Sequence, residues 1–147
     1  MRRQVLLALG ACLLAGAGPA DDEVKKELKK LQGEWVMAGL EIDGRPVPED
    51  KIKGTTLLIK GDKYTVTVKG KSHETTFTID PGRKPKAIDM FFPDGPNAPK
   101  LSKGIYALEG DTLKLCRAQA PGQPRPKEFA TWPDTGVFLV TWKRPGK

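Results

Sequence analysis

Alternation of apolar and polar residues is the dominant pattern of this sequence beyond the first quarter of the chain. In one segment Tyr64, Val66 and Val68 alternate with lysine and threonine, as in a strand with one buried face. Gly-Asp pairs at 61–62 and 110–111 separate neighbouring segments, and glycine in the first position suits a two-residue type II′ turn. The pattern predicts short antiparallel strands joined by hairpins, and hence a mainly β fold.

The alternating segments are numerous enough to close a sheet on itself. Eight consecutive strands favour an antiparallel up-and-down barrel, which leaves no exposed edge, and an open sandwich is the alternative. A short crossover, one helical turn, is expected at 46–53, and a long proline-rich loop at 119–136. The predicted strands are Glu34–Ile42, Thr55–Lys60, Lys63–Lys69, Ser72–Asp80, Ala87–Phe92, Gly104–Glu109, Thr112–Ala118 and Val137–Arg144.

A helix is predicted ahead of the strands, over Glu23–Gln32. Val24, Leu28 and Leu31 share one face of it, and lysines occupy the opposite arc. Gly33 ends the helical pattern. The lysine arc is interpreted as a solvated face rather than as a polyanion-binding surface.

Residues 1–20 have the layout of a bacterial signal peptide, with Arg2 and Arg3 before an apolar run and small residues after it. The prediction is an exported protein, periplasmic or extracellular, with a single domain at 21–147. A second route is a lipobox-like sequence that ends at Cys12. Membrane anchoring is expected only if that cysteine is lipidated.

The net charge of +7 falls to +5 without Arg2 and Arg3. An exported chain whose cations are spread over all segments is not expected to bind nucleic acid. Without Cys12, Cys116 is the only thiol, and no intrachain disulfide can form. The alternation in its strand puts Cys116 on the outer face, either semi-exposed or covered by the N-terminal helix, and burial as a small apolar residue is the default expectation.

A helix that runs into Gly33-Glu34-Trp35 and a first strand resembles the beginning of a lipocalin-type barrel. In that superfamily the Gly-x-Trp tryptophan closes one end of the barrel, and a basic residue of the last strand packs over it. The resemblance therefore implies a structural closure formed by Gly33, Trp35 and Arg144. A cation over an indole face contributes on the order of 1 kcal/mol.

A closer resemblance covers nearly all of the predicted mature domain. It is to an uncharacterised planctomycete family of small exported domains regarded as lipocalin-like. The resemblance implies the fold and export, and it carries over no catalytic residue because none is assigned in that family. The shared segments occur in the same order at 31–35, 59–64, 84–89, 104–106 and 110–116.

The sequence contains no clear set of catalytic residues. Ser72 and His73 are adjacent in a strand and point to opposite faces, so they cannot pair. A Cys116–His73 dyad would need two non-neighbouring strands to meet. Acidic residues show no calcium-loop spacing. The sequence predicts a protein that is not an enzyme and uses no metal or cofactor.

Three functions are compared. The first is a binding module whose barrel interior holds a small apolar ligand, against the simpler interpretation that the same side chains only fill the core. The second is an envelope-associated interaction module that uses aromatic, proline-rich loops with Phe91, Phe92, Phe129 and Trp132. The third, a small enzyme, is disfavoured. The predicted interior residues are Tyr64, Val66, Phe77, Met90, Tyr106, Leu115, Phe138 and Val140.

Overall fold

The computed structural model describes residues 19–93, 100–119 and 122–146. The predicted signal segment falls almost wholly outside the described residues, and so does Cys12. Helix α1, Pro19–Leu31, is followed by strand β1, Gly33–Ile42. The remaining elements are β2 (Arg45–Pro46), α2 (Glu49–Ile52), β3 (Thr56–Lys60), β4 (Lys63–Val68), β5 (Lys71–Asp80), β6 (Ala87–Phe92), β7 (Lys100–Glu109), β8 (Thr112–Ala118) and β9 (Val137–Lys143).

The strands form one antiparallel sheet in which sequential neighbours pair, and β1 also pairs with β9. That last pairing runs from Val36 opposite Lys143 to Ile42 opposite Phe138, with a register shift between Met37 and Gly39. It closes eight strands into a barrel, and β2 is a short addition at the end of β1. The predicted eight-stranded antiparallel barrel with an N-terminal helix is confirmed and is compatible with a lipocalin-like fold.

The main departure from the predicted strands is in β7, which begins at Lys100 rather than at Gly104. Gly104 lies inside the strand, directly opposite Arg117 of β8. A Cβ atom at position 104 would lie 2.8 Å from the Cβ of Arg117 and 2.8 Å from the carbonyl oxygen of Cys116. The glycine is therefore needed for close packing and does not mark the start of the strand.

One end of the barrel is closed by α1 and the first residues of β1. Trp35 is fully buried there, and its indole nitrogen donates a 3.0 Å hydrogen bond to the carbonyl of Leu31. The side chain of Gln32 accepts a 2.6 Å hydrogen bond from the amide of Gly61, in the β3–β4 turn. Both contacts hold the end of the helix against the barrel.

Glu27 attaches the middle of α1 to the barrel. Its carboxylate lies 2.7 Å from the ammonium of Lys86 and accepts a 3.1 Å hydrogen bond from the hydroxyl of Tyr106. Burial by itself raises the pKa of Glu27. The hydrogen bonds from Lys86 and Tyr106 and the charges of Lys86 and Lys30 outweigh it, and hold that pKa below its usual value.

The proline-rich segment after β8 covers the outer face of β6–β8. Arg125 donates to the carbonyls of Gly104 and Ile88 at 2.9 and 3.3 Å and pairs with Asp89 at 2.8 Å. Cys116 is fully buried beneath this segment, with its sulfur 3.7 Å from the carbonyl of Ala130. The expected burial of Cys116 is therefore confirmed, but the covering element is this segment and not α1.

Candidate functional site

A cavity of about 240 Å³ occupies the barrel end opposite Trp35 and is partly open to solvent. It lies within the barrel, between the strand ends that are remote from α1, where side chains do not fill the interior. Most of the lining is apolar, and polar groups come from five of the twelve side chains. The lining residues are Met37, Leu40, Tyr64, Val66, His73, Thr75, Met90, Phe92, Arg117, Phe138, Val140 and Trp142.

Tyr64 and Trp142 form the floor of the cavity, and the buried Phe77 packs behind Tyr64. Trp142 donates a 2.8 Å hydrogen bond from its indole nitrogen to the phenol oxygen of Tyr64. The Tyr64 ring meets Phe77 and Trp142 edge-on, with centroid distances of 6.2 and 6.4 Å. Perpendicular aromatic pairs of this kind are favourable and rigid, so the floor has a defined shape.

Arg117 contributes a positive charge to the cavity wall. Its guanidinium carbon lies 4.8 Å from the centre of the Phe92 ring and 5.0 Å from that of Phe138. One guanidinium nitrogen is 3.4 Å from the hydroxyl of Ser102. Burial lowers the pKa of Arg117, because its charge is taken out of water.

Lys100 lies beside Arg117 at the mouth. Its ammonium is 4.9 Å from the centre of the Phe92 ring and donates a 2.8 Å hydrogen bond to the carbonyl of Gln119. Burial, together with the charge of Arg117, lowers the pKa of Lys100. Two cations therefore share one aromatic ring at this end of the barrel.

Tyr64 brings a hydrogen-bond donor to the same cavity. Its oxygen already accepts from Trp142, and no group among the described residues accepts the hydroxyl hydrogen in return. Burial raises the pKa of Tyr64 to about 12, although the charge of Arg117 and the bond from Trp142 act in the opposite direction. The phenol is consequently protonated at neutral pH and can donate to a bound group.

The structure separates the predicted interior residues into two groups. Phe77, Tyr106 and Leu115 are buried in the filled half of the barrel and do not line the cavity. In that half they pack with the buried side chains of the hydrophobic core. The five that line the cavity are Tyr64, Val66, Met90, Phe138 and Val140.

The three residues of the implied barrel closure lie together. The Arg144 guanidinium carbon is 3.7 Å from the centre of the Trp35 ring. Its nitrogens also donate to the carbonyls of Glu34 and Lys30, at 3.1 and 2.9 Å. A Cβ atom at Gly33 would lie 3.1 Å from the same guanidinium. This glycine therefore leaves room for the arginine to stack.

The four aromatic residues assigned to interaction loops do not form one surface. Phe92 faces the cavity under Lys100 and Arg117, so its assignment to an outer loop is wrong. Phe91 is exposed on the outer face of β6, and Phe129 is half-buried. Trp132, with half of its surface exposed, follows Thr131, whose hydroxyl accepts a hydrogen bond from Gly44.

The residues considered for catalysis are also separated. His73 lies on the inner face at the cavity rim, whereas Cys116 is on the outer face of β8. Burial raises the pKa of the Cys116 thiol, which disfavours the thiolate. Ser72 bonds to Thr67 at 2.7 Å, and Ser102 bonds to the carbonyl of Ala118. The structure brings none of these groups together as nucleophile and base.

Arg117 is the functional candidate that the sequence interpretation missed. The alternation that places Leu113 and Leu115 inside the barrel places Arg117 on the same face two residues later. Strand alternation alone could therefore have found this residue.

The fold and the cavity together define a small closed barrel with one apolar cavity at its open end. Comparisons with protein-family models, with curated proteins and with solved structures found no match to this chain. Within the described ranges, no group of three or more His, Cys, Asp or Glu side chains is placed to hold a metal ion. No helix of the described part is both long and apolar enough to span a bilayer.

Proposed function

We propose that this protein is an exported, non-enzymatic barrel that binds a small, largely apolar ligand in the cavity opposite Trp35. The observation that carries the proposal is the cavity itself, about 240 Å³ in volume, mostly apolar in its lining and open at one side. Ligand pockets of proteins commonly measure about 300–1,000 Å³, and this cavity lies below that range. The expected ligand is accordingly small, or inserts one end only.

Two features of the site support binding over simple filling of the core. The aromatic floor of Tyr64 and Trp142 is fixed by a hydrogen bond and by edge-on contacts, one of them with the buried Phe77 behind Tyr64, so the cavity is preformed. Preformed apolar cavities with a few placed polar groups are the usual form of ligand sites. The polar groups here come from five side chains of the lining.

The test uses the uncharged fluorophore N-phenyl-1-naphthylamine. Saturable fluorescence enhancement is expected with the native chain, and Val66→Phe should abolish it because Val66 lines the cavity. Thr65→Phe is the matched control, since Thr65 is the preceding residue of β4 and points to the opposite face. Absence of saturable binding, or equal binding by the two variants, would reject the proposal.

Export and membership of the planctomycete lipocalin-like family belong to the same proposal. They are supported by the layout of residues 1–20 and by the ordered shared segments of the sequence. Mass spectrometry of the chain produced in a bacterial host with its own N-terminus tests export. The expected product is cleaved after Ala17 or Ala20, and a lipid on Cys12 would indicate the anchored form instead.

A second candidate function is an envelope-associated interaction module. Phe91 and Leu101 are cross-strand neighbours on the outer face of β6–β7, and each exposes more than two-fifths of its surface. Exposed apolar pairs can mark contact surfaces. The test is cross-linking of the protein to envelope fractions. Loss of cross-linking in a Phe91→Ser, Leu101→Ser double variant, which leaves the ligand cavity intact, would favour this function.

A further inference from the structure

The inner wall of the cavity carries an arginine with no acidic partner among the described residues. The only hydrogen-bond contact of Arg117 there is the neutral hydroxyl of Ser102, at 3.4 Å. Its other neighbours are the ring faces of Phe92 and Phe138. A charge in apolar surroundings is costly unless an opposite charge or several hydrogen bonds compensate it.

Other cations that pack into the fold are compensated. Arg125 has Asp89 at 2.8 Å as well as two backbone carbonyls. Lys86 has Glu27 at 2.7 Å. Arg144 stacks on Trp35 and donates to the carbonyls of Glu34 and Lys30. Arg117 differs from all three because it faces the ligand cavity.

The surroundings of Arg117 increase the preference for an anion. Lys100 holds a second positive charge over the same Phe92 ring, and the proximity of the two cations is unfavourable in the absence of a negative charge. Tyr64 offers the unused hydroxyl hydrogen to the same cavity. A guanidinium and a hydroxyl together can donate to both oxygens of a carboxylate.

We propose that the ligand is a small organic carboxylate, with an apolar body on the aromatic floor and its carboxylate paired with Arg117. The inference rests on the proposed function and adds the charge of the ligand to it. A single guanidinium fork matches one planar carboxylate in a bidentate manner. The limited volume and the mostly apolar lining favour one such group rather than a larger polyanion.

Calorimetric titration with octanoate and 1-octanol at pH 7 tests the proposal, because the two probes share one alkyl chain and differ in charge. The native chain should bind octanoate about tenfold or more tightly than octanol. Arg117→Met should weaken octanoate binding by about tenfold or more and leave octanol binding unchanged or stronger. Arg117→Lys keeps the charge without the fork, and an intermediate loss is expected.

Lys103→Met is the matched control, since Lys103 is exposed on the outer face of β7 and the change removes the same unit of charge. It should bind both probes as the native chain does. Equal affinity of the native chain for octanoate and octanol, or equal loss of octanoate binding in the Lys103 and Arg117 variants, overturns the anion inference.

Binding of the neutral fluorophore shows whether a failed carboxylate test also rejects the proposed binding function. Saturable fluorophore binding without octanoate preference rejects only the carboxylate. No binding of the fluorophore, octanol or octanoate by the native chain rejects the binding function and the carboxylate together. If Arg117→Met does not fold, as judged by circular dichroism, Arg117→Lys replaces it, and octanoate binding as tight as that of Lys103→Met would then overturn the bidentate pairing.

Discussion

Trp142 and Tyr64 are joined by a 2.8 Å hydrogen bond in which the indole nitrogen donates to the phenol oxygen, at the floor of the open-end cavity. Both side chains are buried. The bond links β9 to β4 across the barrel, since these strands are not neighbours in the sheet. It is therefore a cross-barrel contact that fixes the floor independently of the backbone ladder.

Removal of that acceptor should destabilise the protein. Tyr64→Phe leaves the Trp142 indole nitrogen buried without its partner, at a cost of about 1–3 kcal/mol in the free energy of unfolding. Urea denaturation measures the change. In a double-mutant cycle with Trp142→Phe, a coupling of about 1 kcal/mol is expected. Strictly additive single effects would show that the bond contributes nothing.

The stacked arginine at the closed end is expected to contribute to stability. Arg144→Ala removes its contact with the Trp35 ring and two hydrogen bonds to carbonyls. The expected loss is about 1–3 kcal/mol in the free energy of unfolding, measured by denaturant titration. Lys143→Ala is the neighbouring control, because Lys143 is exposed, and it should cost less than about 0.5 kcal/mol. Equal costs for both changes would contradict a specific role for Arg144.

Glu27 should make stability depend on acidity. Its pKa is lowered in the folded protein, so its contribution is complete above the unfolded value near 4.5 and is lost as pH falls through the lower folded value. Glu27→Gln should be less stable than the native chain at pH 7 and should lose less stability between pH 5 and pH 3. Thermal denaturation across this range gives the two slopes. Parallel curves for both proteins would exclude the assigned role of Glu27.

Gly104 should tolerate no side chain. In Gly104→Ala the new Cβ would approach the Arg117 Cβ and the Cys116 carbonyl to 2.8 Å, which forces the β7–β8 pair to shift. A loss of about 1–3 kcal/mol in the free energy of unfolding is expected from such overpacking. Gly39→Ala is the control, because its nearest neighbour, Thr141, lies 3.8 Å away. Gly39→Ala should change stability much less, and a similar loss in both variants would speak against the close contact.

The fold was predictable because its strands have a buried and an exposed face. The alternation around Tyr64 and Val66 placed both side chains inside, and glycine-first turns located the hairpins at Gly61 and Gly110. These glycines have φ angles of 61° and 59°, as type II′ turns require. Local patterns of this kind act within a few residues, and a sequence displays them directly.

The site was less predictable because it depends on contacts between distant segments. Alternation placed Cys116 on the outer face, but only the folded chain shows that the segment around Ala130 covers it. Phe92 faces the cavity from the end of β6, although its place beside a loop made it a candidate for the interaction surface. Strand alternation does not tell which inner residues fill the barrel and which border a cavity. Phe77 is packed in the core, whereas Val66, also on an inner face, lines the cavity.

The pairing of β1 with β9 has a consequence for the order of folding. The strand that closes the barrel, β9, follows the other described strands in sequence, so a nascent polypeptide cannot complete its sheet until residues 137–143 have emerged. Until then β1 and β8 each present an open strand edge, the form of a β-protein most prone to pairing with other chains. Contacts between such distant segments also make folding slow. A chain that lacks only β9 is therefore expected to aggregate rather than to form a smaller barrel.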